Sequence, residues 1–246
     1  MTVPSLAITL DIDWAPDHVI DRIAAQLIDA RVRATWFVTH QSPAIDRLRA
    51  RPDLFELGIH PNFLDQSTHG ETPAEVLAHC MALVPDARSM RTHSLVQSSV
   101  LLDTVVRETP IVYDVSLYLP GHAALQPFVQ PLPTRPIVRL PFWWEDDFEM
   151  YGDAPNWHVT PPPAAEHAGL RILNFHPIHV ALNSCALHGY EALKRDARVL
   201  RDATADQVAA HRSDDGEGAG TAFARVVSWL ATEGGGRTVS QLAEAA

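Results

Sequence analysis

The chain has 246 residues, 46% of them hydrophobic and 20% charged, which is the balance of an ordinary globular protein. Its formal net charge of −11 excludes nucleic acid and anionic membrane surfaces as natural partners. No apolar run reaches the roughly 20 residues of a membrane span. The first strand is expected about five residues in, and on that reading no signal peptide is expected within this sequence. Cys80 and Cys185 are too few for a disulfide framework, so the expected setting is reducing and cytoplasmic.

In chain order, "LAITLDID" begins as an apolar strand buried on both faces and ends in two carboxylates, Asp11 and Asp13. Strand side chains alternate, so residues two apart point the same way, and both acids are expected at one rim of the core. Asp17 can cap a helix with Val19, Ile20, Ile23, Leu27 and Ile28 on its inner side. "RATWFVTH" and "LFELGIH" read as the second and third strands. "TPAEVLAHCMALV" reads as a helix, with Thr72 as N-cap, Pro73 in the first turn and Glu75 closing a capping box. "ARSMRTHS", "PIVYDVSLY", "PIVRLPFWW" and "LRILNFHPIHV" read as strands four to seven. Helical segments follow near residues 190–203 and 222–232. The run from Pro120 to Pro136 holds five prolines and is too long for a simple turn, and "SDDGEGAGT" reads as a surface loop. No composition shift divides the chain, and the expectation is one α/β domain over residues 1–246, a distorted barrel of about seven parallel strands.

Polar residues collect where these strands end: Asp11, Asp13, His40, His60, Arg91, His93, Glu145, Asp146 and His176. Active sites of β/α barrels are built at that edge. Two adjacent carboxylates need a cationic companion, and carboxylate with neutral imidazole suits zinc and related divalent ions. Asp13 and His60 supply two ligands of the three a catalytic site commonly uses. For the third, His69 in "STHG" is favoured over His93, because the polar loop ending in Gly70 can turn inward. Arg91 beside the acids would hold Asp11 ionised. In "PFWWEDDFEM", Trp143 and Trp144 would wall a substrate pocket and one of the three acids would pair with Arg91. His176 stops at the rim before Pro177 and is the acid–base candidate, with His179 farther out.

Together these residues resemble the polysaccharide deacetylase family, carbohydrate esterase family 4. "TLDID" is similar to the family's Thr-Phe-Asp-Asp opening in its Asp-x-Asp variant, and "ATWFVT" to its second strand. "ELGIH" resembles the first half of the metal-binding His motif, "RTHS" the Arg motif and "LNFHP" the final His motif. The segment "FARVVSWLATEGGGRTVSQLAEA" resembles the closing helix, turn and helix. The resemblance implies a distorted β/α barrel, an Asp–His–His site for a divalent metal, and hydrolysis of an N-acetyl group on an amino sugar or a sugar-containing precursor. By position it makes Asp11 the base, Asp13 and His60 metal ligands, Arg91 the partner of Asp11, and His176 the acid. His93 joins Trp143, Trp144 and Asp146 as a substrate-binding expectation. The family's second His, four residues after the first, is Leu64 here, and the Arg motif lacks its usual Pro. "PFWWEDD" and "FHPIHVALN" point to a divergent branch of the kind linked to surface polysaccharides. Two other readings accompany the deacetylase: a metal-independent cyclic-amide hydrolase on the same scaffold, and a sugar-binding protein without catalysis.

Overall fold

The structure, a computed structural model, describes residues 6–122, 124–159, 169–214 and 216–245. Its strands are β1 (Leu6–Asp11), β2 (Ala34–Val38), β3 (Phe55–Ile59), β4 (Ser89–Met90), β5 (Tyr113–Asp114), β6 (Phe128–Gln130), β7 (Ile137–Arg139), β8 (Trp144–Glu145) and β9 (Arg171–Phe175). They form one sheet in the order β6-β7-β5-β4-β3-β2-β1-β9-β8, with every neighbouring pair parallel except β6–β7. The parallel α/β architecture is the expected one, with two more strands. "PIVRLPFWW" is broken around Pro141 into β7 and β8, since proline cannot donate to a ladder. The proline-rich connection contributes β6 as an antiparallel edge.

That break explains the curl of the sheet. β7 lies near one edge and β8 at the other, seven strand spacings apart in the order above. In a flat sheet those spacings would sum to roughly 34 Å. Yet β7 ends at Arg139 and β8 starts at Trp144, a length of chain that can reach at most ~18 Å. The sheet must therefore bend into a half-barrel that the segment between Arg139 and Trp144 straps across.

Period-two alternation assigns the two faces. In β1, Leu6, Ile8 and Leu10 join the large core under the helices, while Ala7 belongs to the smaller core inside the curl. Ile172 of β9 and Phe37 of β2 are also inside, whereas Leu173, Phe175, Trp36 and Val38 are outside. Thr9 and Asp11 share the parity of Ala7, and Asn174 shares that of Ile172. Gly58 of β3 is in register with Phe37. A Cβ there would come within 2.7 Å of both the Phe37 ring and the Ser89 carbonyl, so glycine is what lets the strands close.

The helices that cover the outer face start and stop on local signals. α1 (Asp17–Ala30) starts after Pro16, with Asp17 inside its first turn rather than capping it, and ends at Arg31 in the left-handed region. α3 (Pro73–Leu83) carries the expected Thr72/Glu75 capping box. α5 (Asp146–Tyr151), α6 (Pro177–Leu182), α7 (Leu187–Ala197) and α9 (Ala219–Thr232) follow, α9 starting within the segment expected as loop. Among the described residues no helix is long and apolar enough to cross a membrane.

Candidate active site

Strand register brings the polar residues to one rim. Asp11 is the last residue of β1, His60 follows β3 and donates its backbone N–H to the Val38 carbonyl, and Arg91 follows β4 and donates to the Ile59 carbonyl. His176 follows β9, whose Phe175 pairs with Leu10. Asp13 reaches the same place by a different route from strand alternation. The chain leaves β1 after Asp11, and both Asp13 (φ 41°) and Trp14 (φ 55°) are left-handed. Non-glycine residues in that region are uncommon and mark functional turns.

Asp13 Oδ1 lies 3.1 Å from His60 Nε2 and 3.2 Å from His93 Nδ1, and those two nitrogens are 3.3 Å apart. Oδ1 is buried and has no hydrogen-bond partner. A tetrahedral ion with bonds of about 2.0–2.1 Å spaces its ligand atoms roughly 3.3–3.4 Å apart, so the triangle has the size of one tetrahedral face. These three residues fit a divalent cation with one side open. Burial alone would raise the Asp13 carboxyl, but His93 and His60 outweigh it and hold it well below the usual carboxylate range.

His93 therefore stands at the corner of the triangle expected for His69, and it also lines the cavity beside it. His69 faces the other way. Its Nε2 hydrogen-bonds with the Thr39 carbonyl at 2.8 Å and its Nδ1 accepts from the Asn62 backbone N–H at 3.2 Å. Burial, and then His79 stacked on its ring, push it down to about 4, which keeps it neutral. With both nitrogens engaged, His69 anchors its loop. Leu64, where the family has its second His, is 44% exposed.

Asp11 is held from both sides. Its Oδ1 accepts from Arg91 Nη1 at 3.0 Å and its Oδ2 from Asn174 Nδ2 at 2.9 Å. Arg91 is fully buried, and its guanidinium carbon lies 4.4 Å from the centre of the Phe142 ring and 5.0 Å from that of Phe37. The same Nη1 also donates to Thr9 Oγ1 and to Asn174 Oδ1. Burial works to raise the Asp11 carboxyl; Arg91, then His60 and His176, overcome it and leave Asp11 below its ordinary value.

His176 presents Nε2 to Asp13 Oδ2 at 3.6 Å and to Asp11 Oδ2 at 4.0 Å. Asp146 fixes the ring from behind, accepting from the His176 backbone N–H at 2.9 Å and pairing with Nδ1 at 2.7 Å. Burial disfavours the imidazolium, but Asp146 and Asp147 overcompensate and raise His176 well above a free histidine. Asp146 thus serves His176 and does not pair with Arg91, because it opens α5 rather than ending β8. The two tryptophans also turn away. Trp144 is buried in the outer core against Phe175 and Trp157, and Trp143 packs on the Arg171 guanidinium. The aromatic wall of the cavity over Asp11, Asp13 and His176 is instead Phe148 and Tyr151 of α5.

Sequence reasoning placed Glu145 at the rim without giving it a role of its own, and it missed the residues that support the site. Glu145 accepts from Asn174 Nδ2 at 2.7 Å and lines the cavity with Asp147. Burial and then Asp147 raise the Glu145 carboxyl well above its usual range. Asn174 and Thr9 carry a signal in their spacing, two residues before His176 and Asp11 on the inner parity. The loop bearing His93 is held from below. Ser116 accepts from the Thr92 backbone N–H and donates to Asp114, which forms a buried ion pair with Arg139.

A family model described as WbmS-like polysaccharide deacetylase matches residues 8–194. Among solved structures, WbmS of Bordetella bronchiseptica, described as a polysaccharide deacetylase involved in O-antigen biosynthesis, is 33% identical with a TM-score of 0.76. The match covers 91% of this chain and 90% of that one. A T48 deacetylase solved with substrate matches at 14% identity and TM-score 0.47, over 99% and 92% of the two chains. The peptidoglycan deacetylase PdaC of Bacillus subtilis matches at 12% and 0.43, over 99% and 91%. A comparison with curated proteins gives no match.

Proposed function

The chain belongs to the WbmS-like polysaccharide deacetylases, and from that membership we propose that it hydrolyses the N-acetyl group of an amino sugar or sugar-containing precursor, using one divalent metal. The donor set of one carboxylate and two imidazoles favours zinc. One juxtaposition carries the reading: the Asp13–His60–His93 triangle adjoins both a carboxylate kept ionised by Arg91 and an imidazole kept protonated by Asp146.

Held by those three residues, a divalent ion would supply Lewis acidity, polarising the amide carbonyl and lowering the pKa of a water from 15.7 towards about 7. Asp11 accepts the proton that the attacking water gives up. Arg91 and Asn174 fix both of its oxygens, so little reorganisation accompanies the transfer. His176 donates from Nε2 to the amine nitrogen as the C–N bond breaks. A C–O bond forms, acetate and the free amine leave, and the two proton transfers balance. Asp146 on Nδ1 directs the acidic proton to Nε2. The residues involved are spread from Asp11 to His176, which supports reading the chain as one catalytic unit.

The test is acetate release from N-acetylated sugars by zinc-equilibrated protein. Asp11→Asn should retain the metal, because Asp13, His60 and His93 remain, and should slow turnover by roughly 10²–10⁴-fold. Protein that takes up zinc yet releases no acetate from any N-acetylated sugar would overturn the proposal.

A further inference from the structure

Two cavities open from the triangle, and their linings differ: the first gathers carboxyls and histidines, the second carries a lysine and an arginine. The first, about 210 Å³, lies over Asp11 and His176 and adds the carboxyls of Glu145 and Asp147. The second, about 500 Å³, shares only Asp13 and His93 with the first and runs the other way along Trp14, Asn62 and Gln66 to Tyr190, Lys194 and Arg201. Among the described residues, Asp13 is the sole carboxylate in its lining. Its size lies within the ~300–1,000 Å³ of small-molecule sites.

Lys194 is the only lysine in the 246 residues, and every other basic side chain of fixed charge is an arginine. In a chain of net charge −11 it lines the same cavity as Asp13 and His93, its Nζ over the Tyr190 ring at 4.5 Å. Its ion pair with Glu191, at 2.8 Å, is one turn along α7 and 41% exposed on the lysine side. Arg201 approaches Asp202 only to 3.9 Å and is 58% exposed. Exposed pairs of this kind contribute little, so both cations can turn to an incoming anion without loss. The charge of Arg201 also reaches His40, helping to lower its pKa after burial has done so. Between the cations and the triangle, Trp14 and Tyr190 offer ring surface for the apolar side of a sugar, and Asn62 and Gln66 offer amides for its hydroxyls.

We propose that this second cavity is a subsite for an anionic substituent of the substrate, a carboxylate or a phosphate, held by Lys194 and Arg201 while the N-acetyl group lies at the triangle. The inference rests on the deacetylase reading for the group at the triangle, but the charge preference can be measured without turnover. Placing the anion here keeps it clear of Glu145 and Asp147, so the asymmetry of the cleft also sets the direction in which the substrate lies.

Binding of three probes, chitotetraose (neutral), a hyaluronan tetrasaccharide (carboxylate) and UDP-N-acetylglucosamine (phosphate), is measured by calorimetry, with acetate release followed in parallel. At least one anionic probe should bind about tenfold or more tightly than chitotetraose, by charge-assisted hydrogen bonds that weaken as salt rises. That preference should collapse towards unity in Lys194→Gln/Arg201→Gln. Which anionic probe is preferred separates carboxylate from phosphate. The unique lysine provides a second measurement on the unmodified sequence: the preferred probe should slow acylation of Lys194 by an N-hydroxysuccinimide ester, read by mass spectrometry. Equal binding of neutral and anionic probes, or a preference that survives in the double variant, overturns the subsite. Anion-dependent binding without acetate release would leave the subsite standing and count against the deacetylase reading alone.

Discussion

The two halves of the rim are built on opposite principles. Around Asp11 both carboxylate oxygens, the Arg91 guanidinium and the Asn174 amide are joined to one another, and Asp146 closes the same kind of bond behind His176. Around Asp13 three donor atoms crowd together, and the shared oxygen has no hydrogen-bond partner. Buried polar groups are normally satisfied within the protein, so a half left open is shaped for something from outside, while a half joined at both Asp11 oxygens, with only Arg91 Nη2 left over, is shaped to hold its geometry through a reaction. One side waits for an ion; the other is already set.

The sharpest way to break this comparison is to remove a member from each half and read stability and metal separately. Arg91→Met leaves Asp11 buried without its cation, and loss of one partner from a buried pair costs about 3–5 kcal/mol. Urea unfolding should show that loss, and Arg91→Met in an Asp11→Asn background should recover part of it. A metal-free stability unchanged by Arg91→Met would mean that the joined half is not what holds the rim.

In the open half the cost should fall on metal affinity. His93→Ala should lower zinc affinity beyond the about 10–100-fold typical of losing an outer-sphere partner, with metal-free stability altered by only about 1 kcal/mol. His69→Ala should stay below that affinity range while loosening its loop. Competition with a chromophoric chelator ranks the two variants, and the reverse ranking would return the third corner to His69.

The smallest effect sharpens the joined half. His176 must be protonated to act as the acid, and its raised pKa keeps activity until pH climbs past the ordinary histidine value. Asp146→Asn removes the foremost partner that favours the charged ring, so the alkaline limb of the pH–rate profile should move to lower pH. The acid limb, governed by Asp11 and metal uptake, should stay where it was. An unmoved alkaline limb would take His176 out of the acid role.

How much of this could be read from sequence follows the range of the forces involved. The parallel strands, the α3 capping box and the positions of Asp11, His60, Arg91 and His176 at strand ends depend on local pattern and alternation, and they are legible. The choice of His93 over His69 is not, because it depends on which ring finds other partners: the Thr39 carbonyl and Asn62 N–H that capture His69 lie on different elements. The tryptophans misled for a related reason. A two-residue strand with a helix straight after it places Trp144 on the outer face, and no pattern in "FWWEDD" announces that break. Asn174 and Thr9 were within reach of the parity argument, had it been run backwards from the rim.

The missing side chain at Gly58 has its own consequence for how this protein tolerates change. Phe37 lies under the Arg91 guanidinium on one side and against the Gly58 backbone on the other. A single added methyl in the middle of β3, chemically inert although only two residues before His60, would press on that ring and through it on the cation that governs Asp11. Random variation or directed evolution that samples this position will meet it as a hidden control on the base. Its inactivating lesions will look conservative on paper, and a smaller residue at Phe37 should rescue them only in part, since the Ser89 carbonyl crowds the same methyl.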